Sequence, residues 1–166
     1  MYSLFSYHYS KRLLILFMVA GLLLSGCVSK QIQRSEPVSF VFKTPVLKIA
    51  ASGFLQKGRI IKLQGYDAGQ PILELILAKR VCINSKCMSY AMFNKRVLYP
   101  AYPPFIIRNI VTGKPIFNGQ NLEKRGDGFV QEITSKQFAI IYRVKKDVIY
   151  FKDRKNRILI KIKELY

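Results

Sequence analysis

The chain has 166 residues, of which half are hydrophobic and 22% are charged. This composition is typical of a single globular domain and excludes a disordered or collagen-like chain. Lysine and arginine number 28 against nine aspartate and glutamate residues, so the protein is strongly basic, with a formal net charge of +19. Histidine occurs once, as His8, and tryptophan is absent.

The first 26 residues have the pattern of a secretory signal peptide. Lys11-Arg12 is followed by an uncharged apolar segment, residues 13–24, and then by small residues. Twelve apolar residues are too few to cross a bilayer as a helix, which takes about 20. A basic flank before a short apolar core is typical of an export signal instead. We therefore predict a signal peptide over residues 1–26, followed by a lipidated polar tether over 27–37.

The tether is called lipidated because Leu24-Ser25-Gly26-Cys27 resembles the lipobox of bacterial lipoproteins. The resemblance implies cleavage before Cys27, attachment of diacylglycerol to its thiol, and acylation of the new N-terminus, for example by palmitate. Residue 28 is Val instead of the Asp that retains enterobacterial lipoproteins in the inner membrane. This favours an anchor in the outer membrane, with the domain facing the periplasm, and leaves inner-membrane anchoring open. An uncleaved anchor and a cysteine without a role are the alternatives.

Cleavage at this point would remove the only histidine, and this bears on catalysis. Without histidine, Ser-His-Asp and Cys-His arrangements and the usual zinc ligand sets are unavailable. The carboxylates Glu74, Glu123 and Glu132 are scattered without a motif, and no Gly-rich phosphate loop occurs. We predict that the protein is not an enzyme and has no catalytic residues, metal site or cofactor.

The remaining cysteines, Cys82 and Cys87, lie in the segment RVCINSKCM. A two-residue turn at Asn84-Ser85 would place them opposite each other as a non-hydrogen-bonded pair. Their Cα atoms would then be about 4.5 Å apart, which suits a disulfide. The spacing differs from the CxxC of redox enzymes and zinc knuckles. We predict a structural disulfide, with a redox centre or two free thiols as alternatives.

The first half of the domain shows strand patterns separated by turn residues. VSFVFKT (38–44) alternates, with Val38, Phe40 and Phe42 on one face. Further strands are predicted over 46–54, 59–64 and 72–78 and in VCINSKCM, with 65–71 as a loop. A helical insertion follows over residues 88–113. It contains a helix-compatible segment at 89–98 and a second helix between Pro103-Pro104 and Gly113. Residues 116–127 are predicted to form a loop.

The last forty residues predict four antiparallel strands joined by short polar turns. Apolar residues alternate with polar or basic ones, which indicates a sheet that is solvated on one side. The face predicted to point into the interior consists of Phe138, Ile140, Tyr142, Ile158, Ile160 and Ile162. Basic side chains form the opposite face, either for solubility or to attract phosphates of anionic lipid or lipopolysaccharide. The predicted export excludes nucleic acid as a partner, although the charge alone would have allowed it.

These elements predict a mainly β (α+β) fold over residues 38–166. We expect a curved antiparallel sheet or half-open barrel of about eight to nine strands. Two short helices would cover its concave face. The interior would be either an apolar cavity or a core filled by side chains, and periodicity does not distinguish the two.

The order of elements resembles the LolB family of outer-membrane lipoprotein receptors. The similar segments are SGF at 52–54, RIIKLQGYDAGQPILEL at 59–75, INSK at 83–86, PPFIIRNIVTGKP at 103–115 and FKDRKNRILIKIKEL at 151–165. The resemblance implies a half-open barrel closed by helices that takes lipoproteins from a periplasmic carrier and inserts them into the outer membrane. In that case the six-residue interior face would bind acyl chains.

The resemblance also implies that Tyr66 and Ala68, in the loop over 65–71, meet the membrane or the cargo. The family carries an exposed large apolar residue in this loop, whereas here Asp67 lies between Tyr66 and Ala68. The fold therefore carries over better than the activity. The alternative function is a structural or assembly lipoprotein of the cell envelope, for example in lipopolysaccharide export, with no ligand cavity.

Overall fold

A computed structural model describes residues 34–165 of the chain. The predicted signal peptide, Cys27 and most of the predicted tether lie outside the described residues. The described residues form one compact unit. Within residues 34–165, neither helix has the length and apolar character that crossing a bilayer requires.

Residues 34–165 are mainly β, with two short helices. The strands are β1 (Ser35–Lys43), β2 (Lys48–Gln56), β3 (Ile61–Asp67), β4 (Gln70–Leu77), β5 (Val81–Ile83), β6 (Lys86–Met88), β7 (Leu122–Arg125), β8 (Gly128–Thr134), β9 (Ala139–Val144), β10 (Val148–Asp153) and β11 (Ile158–Glu164). Between β6 and β7 lie α1 (Tyr90–Val97), α2 (Ile106–Thr112) and a short 3-10 turn, Phe117–Gly119.

The strands form one open antiparallel sheet in the order β6-β5-β4-β3-β2-β1-β11-β10-β9-β8-β7. The first and last strands of the chain are therefore neighbours, so β1 pairs with β11 in the middle of the sheet. The antiparallel, mainly β prediction is confirmed, but the expected eight to nine strands are too few. The cysteine hairpin, which was predicted, contributes two strands, and β7 is the strand that sequence analysis did not predict.

Three predicted boundaries are wrong. The segment 116–127 contains β7, whose polar sequence LEKR shows no alternation and becomes a strand only by pairing with β8. The predicted tether runs into β1, which begins at Ser35 because Ser35 and Pro37 pair with β2. The loop predicted over 65–71 shrinks to the turn Ala68–Gly69, because both residues adopt positive φ (46° and 79°) and allow a tight hairpin.

One face of the sheet is buried from β4 to β9. Phe42, Ile160, Phe151 and Tyr142 are direct neighbours across β1, β11, β10 and β9, and each is at most 1% exposed. Leucines continue the same face across β2, β3 and β4. Burial of this much apolar surface is the main favourable term for the fold.

The two predicted helices are confirmed. Ser89 caps α1, since its hydroxyl accepts a hydrogen bond from the amide of Met92. Gly113 ends α2 with φ 68°, a conformation that glycine adopts without steric cost. Buried residues of both helices, including Phe93 and Ile107, belong to the same core cluster as the buried face of the sheet.

Buried polar side chains hold the segment around the helices in place. The Asn94 amide donates to the carbonyls of Tyr102 and Pro103. The Tyr102 hydroxyl donates to the buried Asp153 carboxylate of β10. Burial and this bond raise the pKa of Tyr102 well above its ordinary value, so its phenol stays neutral in the folded protein.

Candidate functional site

The six residues predicted to line the interior are all buried. Five belong to β9 and β11 and are at most 2% exposed, whereas Phe138 lies just before β9 and is 8% exposed. They alternate with half-buried or exposed residues, so the predicted register of both strands is confirmed. They face other side chains: Tyr142, for example, lies next to Phe151 and Gln131 across the neighbouring strands.

The helical segment, residues 89–119, packs against this buried face. The Tyr142 hydroxyl lies 3.1 Å from the Lys114 carbonyl and 3.3 Å from the Asn109 carbonyl, at the end of α2. Arg108 of α2 donates to the carbonyls of Leu77 and Arg59 at 3.0 and 2.9 Å. These hydrogen bonds connect α2 to β9 through Tyr142 and to β4 through Arg108.

A cleft opens onto the buried face at the C-terminal end of α2. Its volume is about 110 Å³. Apolar side chains of the buried face and the end of α2 form its walls, and charged residues of the loops surround its mouth. The lining includes Leu55, Thr112, Gly113, Val144, Ile149 and Ile162. Ligand pockets are typically about 300–1,000 Å³, so the cleft is too small for a long acyl chain unless α2 moves.

Three lysines stand at the mouth of this cleft. Lys57 is held between Glu36 and Glu164, with its Nζ 2.7 Å from a carboxylate oxygen of each. Burial lowers the pKa of Lys57, but the two carboxylates outweigh that effect, so the pKa is raised and the ammonium stays charged. Lys145 and Lys146 line the same cleft and are exposed.

The opposite, solvent-exposed side of the sheet is here called the outer face. On five consecutive strands, β9, β10, β11, β1 and β2, it carries a concentration of basic side chains. By register these are Arg143, Lys152, Lys161, Lys163, Lys43 and Lys48. The solvated basic face predicted for the last strands is therefore confirmed. It extends to β1 and β2, which sequence analysis did not predict because a single basic residue at each strand end gives no periodic signal.

The predicted membrane or cargo residues lie in different surroundings. Tyr66 belongs to β3 and is half-buried on the outer face, where its ring meets Phe54 edge to face with centroids 6.3 Å apart. Ala68 is exposed at the hairpin turn. Phe54, which sequence analysis did not single out, is 46% exposed, and its position after SG within a strand gave no signal of exposure.

A larger cleft of about 460 Å³ lies on the outer side of β7, β8 and β9. It mixes acidic and basic side chains, including the ion pair of Glu123 with Arg125 at 2.9 Å. Glu132 and Arg143 also line it. Because both signs of charge line this cleft, it does not favour an anionic or a cationic ligand. None of the residues predicted to bind acyl chains lines it.

The cysteine hairpin has the predicted turn. Cys82 pairs with Cys87 across β5 and β6, their Cα atoms are 4.0 Å apart, and the sulfur atoms are bonded. Asn84 and Ser85 form the turn with positive φ. The Asn84 side chain accepts from the Glu74 amide at 2.8 Å and so connects the hairpin to β4.

We expect this disulfide to stabilise the edge of the sheet. Replacing both cysteines by serine should lower the free energy of unfolding by about 2 kcal/mol, because the bond restricts a short loop in the unfolded chain. Intact-mass analysis of periplasmically expressed protein should give a mass two hydrogens below that of the reduced form. Alkylation of both thiols under native, non-reducing conditions would show instead that they are free.

Residues 34–165 contain no group of three or more His, Cys, Asp or Glu side chains arranged to hold a metal ion. The chain matches no protein-family model and no curated protein. The described site thus combines an apolar core, whose narrow cleft has a mouth of mixed charge, with a basic surface on the opposite side of the sheet.

Proposed function

We propose that this protein is a lipid-anchored envelope protein that binds acyl chains, in the manner of the LolB family that its sequence resembles. In this proposal the open sheet curves into a half-open barrel, and α1 and α2 cover its concave face. Acyl chains of a lipoprotein would enter between α2 and the sheet and would be passed to the outer membrane. The partners would be the membrane, through Cys27, together with lipoproteins or their periplasmic carrier.

The observation that carries this proposal is the cleft at the end of α2. Its apolar walls, Val144, Ile149 and Ile162, are continuous with the buried face, so a chain entering there would meet mainly apolar side chains further in. The exposed ammonium groups of Lys145 and Lys146 stand where a headgroup would remain. Apolar walls with a few polar groups at the entrance are typical of a lipid site.

Locking the cleft provides the test of this proposal. A Cβ atom added to Gly113 would lie 3.3 Å from a methyl group of Val144. Because a cysteine sulfur at residue 144 can take the place of that methyl group, the double variant Gly113→Cys/Val144→Cys is designed to form a disulfide across the cleft. We expect the oxidised variant to lose binding of a fluorescent acylated peptide and to regain it on reduction.

The wild type and each single cysteine variant, with and without reductant, are the controls, because reduction also opens the native disulfide. Equal binding by the oxidised and reduced double variant would show that acyl chains do not enter at this cleft. Absence of binding by a folded wild-type protein would contradict the proposed function itself.

The anchoring part of the proposal has its own test at Cys27. Because the thiol would carry the lipid, metabolic labelling with a palmitate analogue should mark the wild type and not Cys27→Ser. The wild type should fractionate with the outer membrane. Equal labelling of both proteins would show that Cys27 is not the site of lipidation.

A second candidate function is supported by how completely side chains fill the core. Tyr142, Phe42, Phe93 and Phe151 are fully buried in one core cluster, and the cleft that opens onto this core is only about 110 Å³. A filled core suits a structural or assembly lipoprotein that docks on another envelope component. This candidate predicts no acyl-chain binding by any variant.

A further inference from the structure

The outer face of the consecutive strands β9, β10, β11, β1 and β2 carries basic side chains and no carboxylate. Among their described residues, six lysine or arginine side chains project from this face, and five of the six are exposed. The strands also contain three carboxylates, but all three lie on the buried side of the sheet. Glu36 is opposite Leu55, Asp153 is opposite Ile158, and Glu164 is opposite Val38. The outer face of these five strands therefore carries positive charge only, whereas Glu74, Glu123 and Glu132 lie on the outer side of the flanking strands β4, β7 and β8.

None of these cations has a carboxylate as its cross-strand neighbour, and Lys43 and Lys48 are paired with each other. Lys161 lies between Tyr150 and Val41, and Lys163 lies between Val148 and Ser39. Sheets commonly place opposite charges at such positions, where each pair stabilises the fold. Within residues 34–165, no carboxylate forms an ion pair with any of the six, whereas Lys57 and Lys62 elsewhere do.

The same face provides room for a headgroup and an apolar contact. A shallow trough of about 250 Å³ runs between Lys161 and Lys163 over the small residues Ser39 and Ala50. Two strands away, the Phe54 and Tyr66 rings form the exposed aromatic pair. Basic side chains beside an aromatic ring are typical of surfaces that bind at the headgroup level of a membrane.

We propose that this outer face docks on the anionic surface of a lipid bilayer, with Lys161 and Lys163 binding lipid phosphates at its centre. The occupant is the bilayer because six unpaired cations on a broad sheet match a plane of anionic headgroups. The tether also limits how far the start of β1 can lie from the proposed lipid anchor, because the seven residues between Cys27 and Ser35 span at most about 28 Å. This surface is separate from the acyl-chain cleft, and docking does not require that site.

The test measures how close the outer face comes to the bilayer. The full chain is reconstituted into vesicles of phosphatidylcholine alone, or of phosphatidylcholine with about 30% phosphatidylglycerol. A fluorophore is attached at Ser52→Cys on the outer face or at Ala91→Cys on the exposed side of α1, and quenching by a headgroup spin-labelled lipid is recorded. We expect strong quenching at residue 52 only, only in the anionic vesicles, and its loss in about 0.5 M salt.

Charge reversal at the centre of the face is the decisive variant. Each lysine near an anionic surface changes binding about fivefold, so Lys161→Glu/Lys163→Glu should abolish the lipid-dependent quenching at residue 52. The matched control, Lys124→Glu/Lys136→Glu, makes the same change in net charge at exposed positions away from the outer face and should retain it. Equal quenching at residues 52 and 91, no dependence on anionic lipid, or equal loss in both double variants would overturn the proposal. Docking on an acidic protein instead would leave quenching the same in both vesicle types.

Discussion

Replacing Ile160 by Asp should destabilise the protein by at least about 3 kcal/mol. Ile160 is fully buried in β11, between Phe42 of β1 and Phe151 of β10. The substitution removes an apolar side chain from the centre of the core and buries a carboxyl group without a partner. Urea unfolding of the chain without its first 27 residues should show a clearly lower midpoint, or no folded baseline.

The neighbouring position supplies the matched control. Lys161 is exposed on the outer face, opposite Tyr150 and Val41. Lys161→Asp introduces the same carboxylate into the same strand but leaves it in water, so the cost should stay below about 1 kcal/mol. Equal costs for the two substitutions would contradict the assignment of Ile160 to the core and Lys161 to the solvent, and a larger cost for Lys161→Asp would mean that β11 presents the other face to the core.

Replacing Gly53 by Ala should also be strongly destabilising, although it adds only one methyl group. A Cβ at Gly53 would lie 1.8 Å from the backbone oxygen of Gln64 in the paired strand β3. Backbone cannot move aside as a side chain can, so β2 and β3 would have to separate and lose ladder hydrogen bonds. We expect a loss of about 3 kcal/mol, measured as a shift of the thermal or urea midpoint.

Gly69→Ala is the control for this substitution. Gly69 lies in the turn between β3 and β4 with φ 79°, and a Cβ there would meet no atom within 4 Å. The only cost is therefore the left-handed backbone conformation, about 1 kcal/mol. A Gly53 variant that is as stable as the Gly69 variant would show that β2 and β3 do not pair as closely as described.

Local periodicity explains which parts of the fold could be predicted. The alternation through Ile158, Ile160 and Ile162 specifies both a strand and its buried face, because successive side chains point to opposite sides. The helices were predictable because Ser89 and Gly113 mark their ends chemically. By contrast, β7 has no apolar alternation, and its existence depends on pairing with β8.

Long-range placement explains what could not be predicted. Period-two patterns do not reveal that β1 lies beside β11, and so they do not show that Lys43 and Lys161 share one surface. The prediction of a loop around Tyr66 was wrong for a local reason, since Ala68 adopts a positive-φ conformation that is usually taken by glycine or asparagine. The buried pair of Tyr102 and Asp153 joins segments 51 residues apart, and no sequence motif predicts it.

The most direct test of the proposed function locates a bound acyl chain on the protein. A lipoprotein whose acyl chain ends in a photoreactive group is transferred from its periplasmic carrier to the wild-type protein, illuminated and analysed by peptide mass spectrometry. The proposal predicts cross-links to the cleft walls and buried face, at Val144, Ile149 or Ile162, and transfer reduced by the oxidised Gly113→Cys/Val144→Cys lock. Cross-links confined to the outer face, or no transfer to a folded protein, would contradict it.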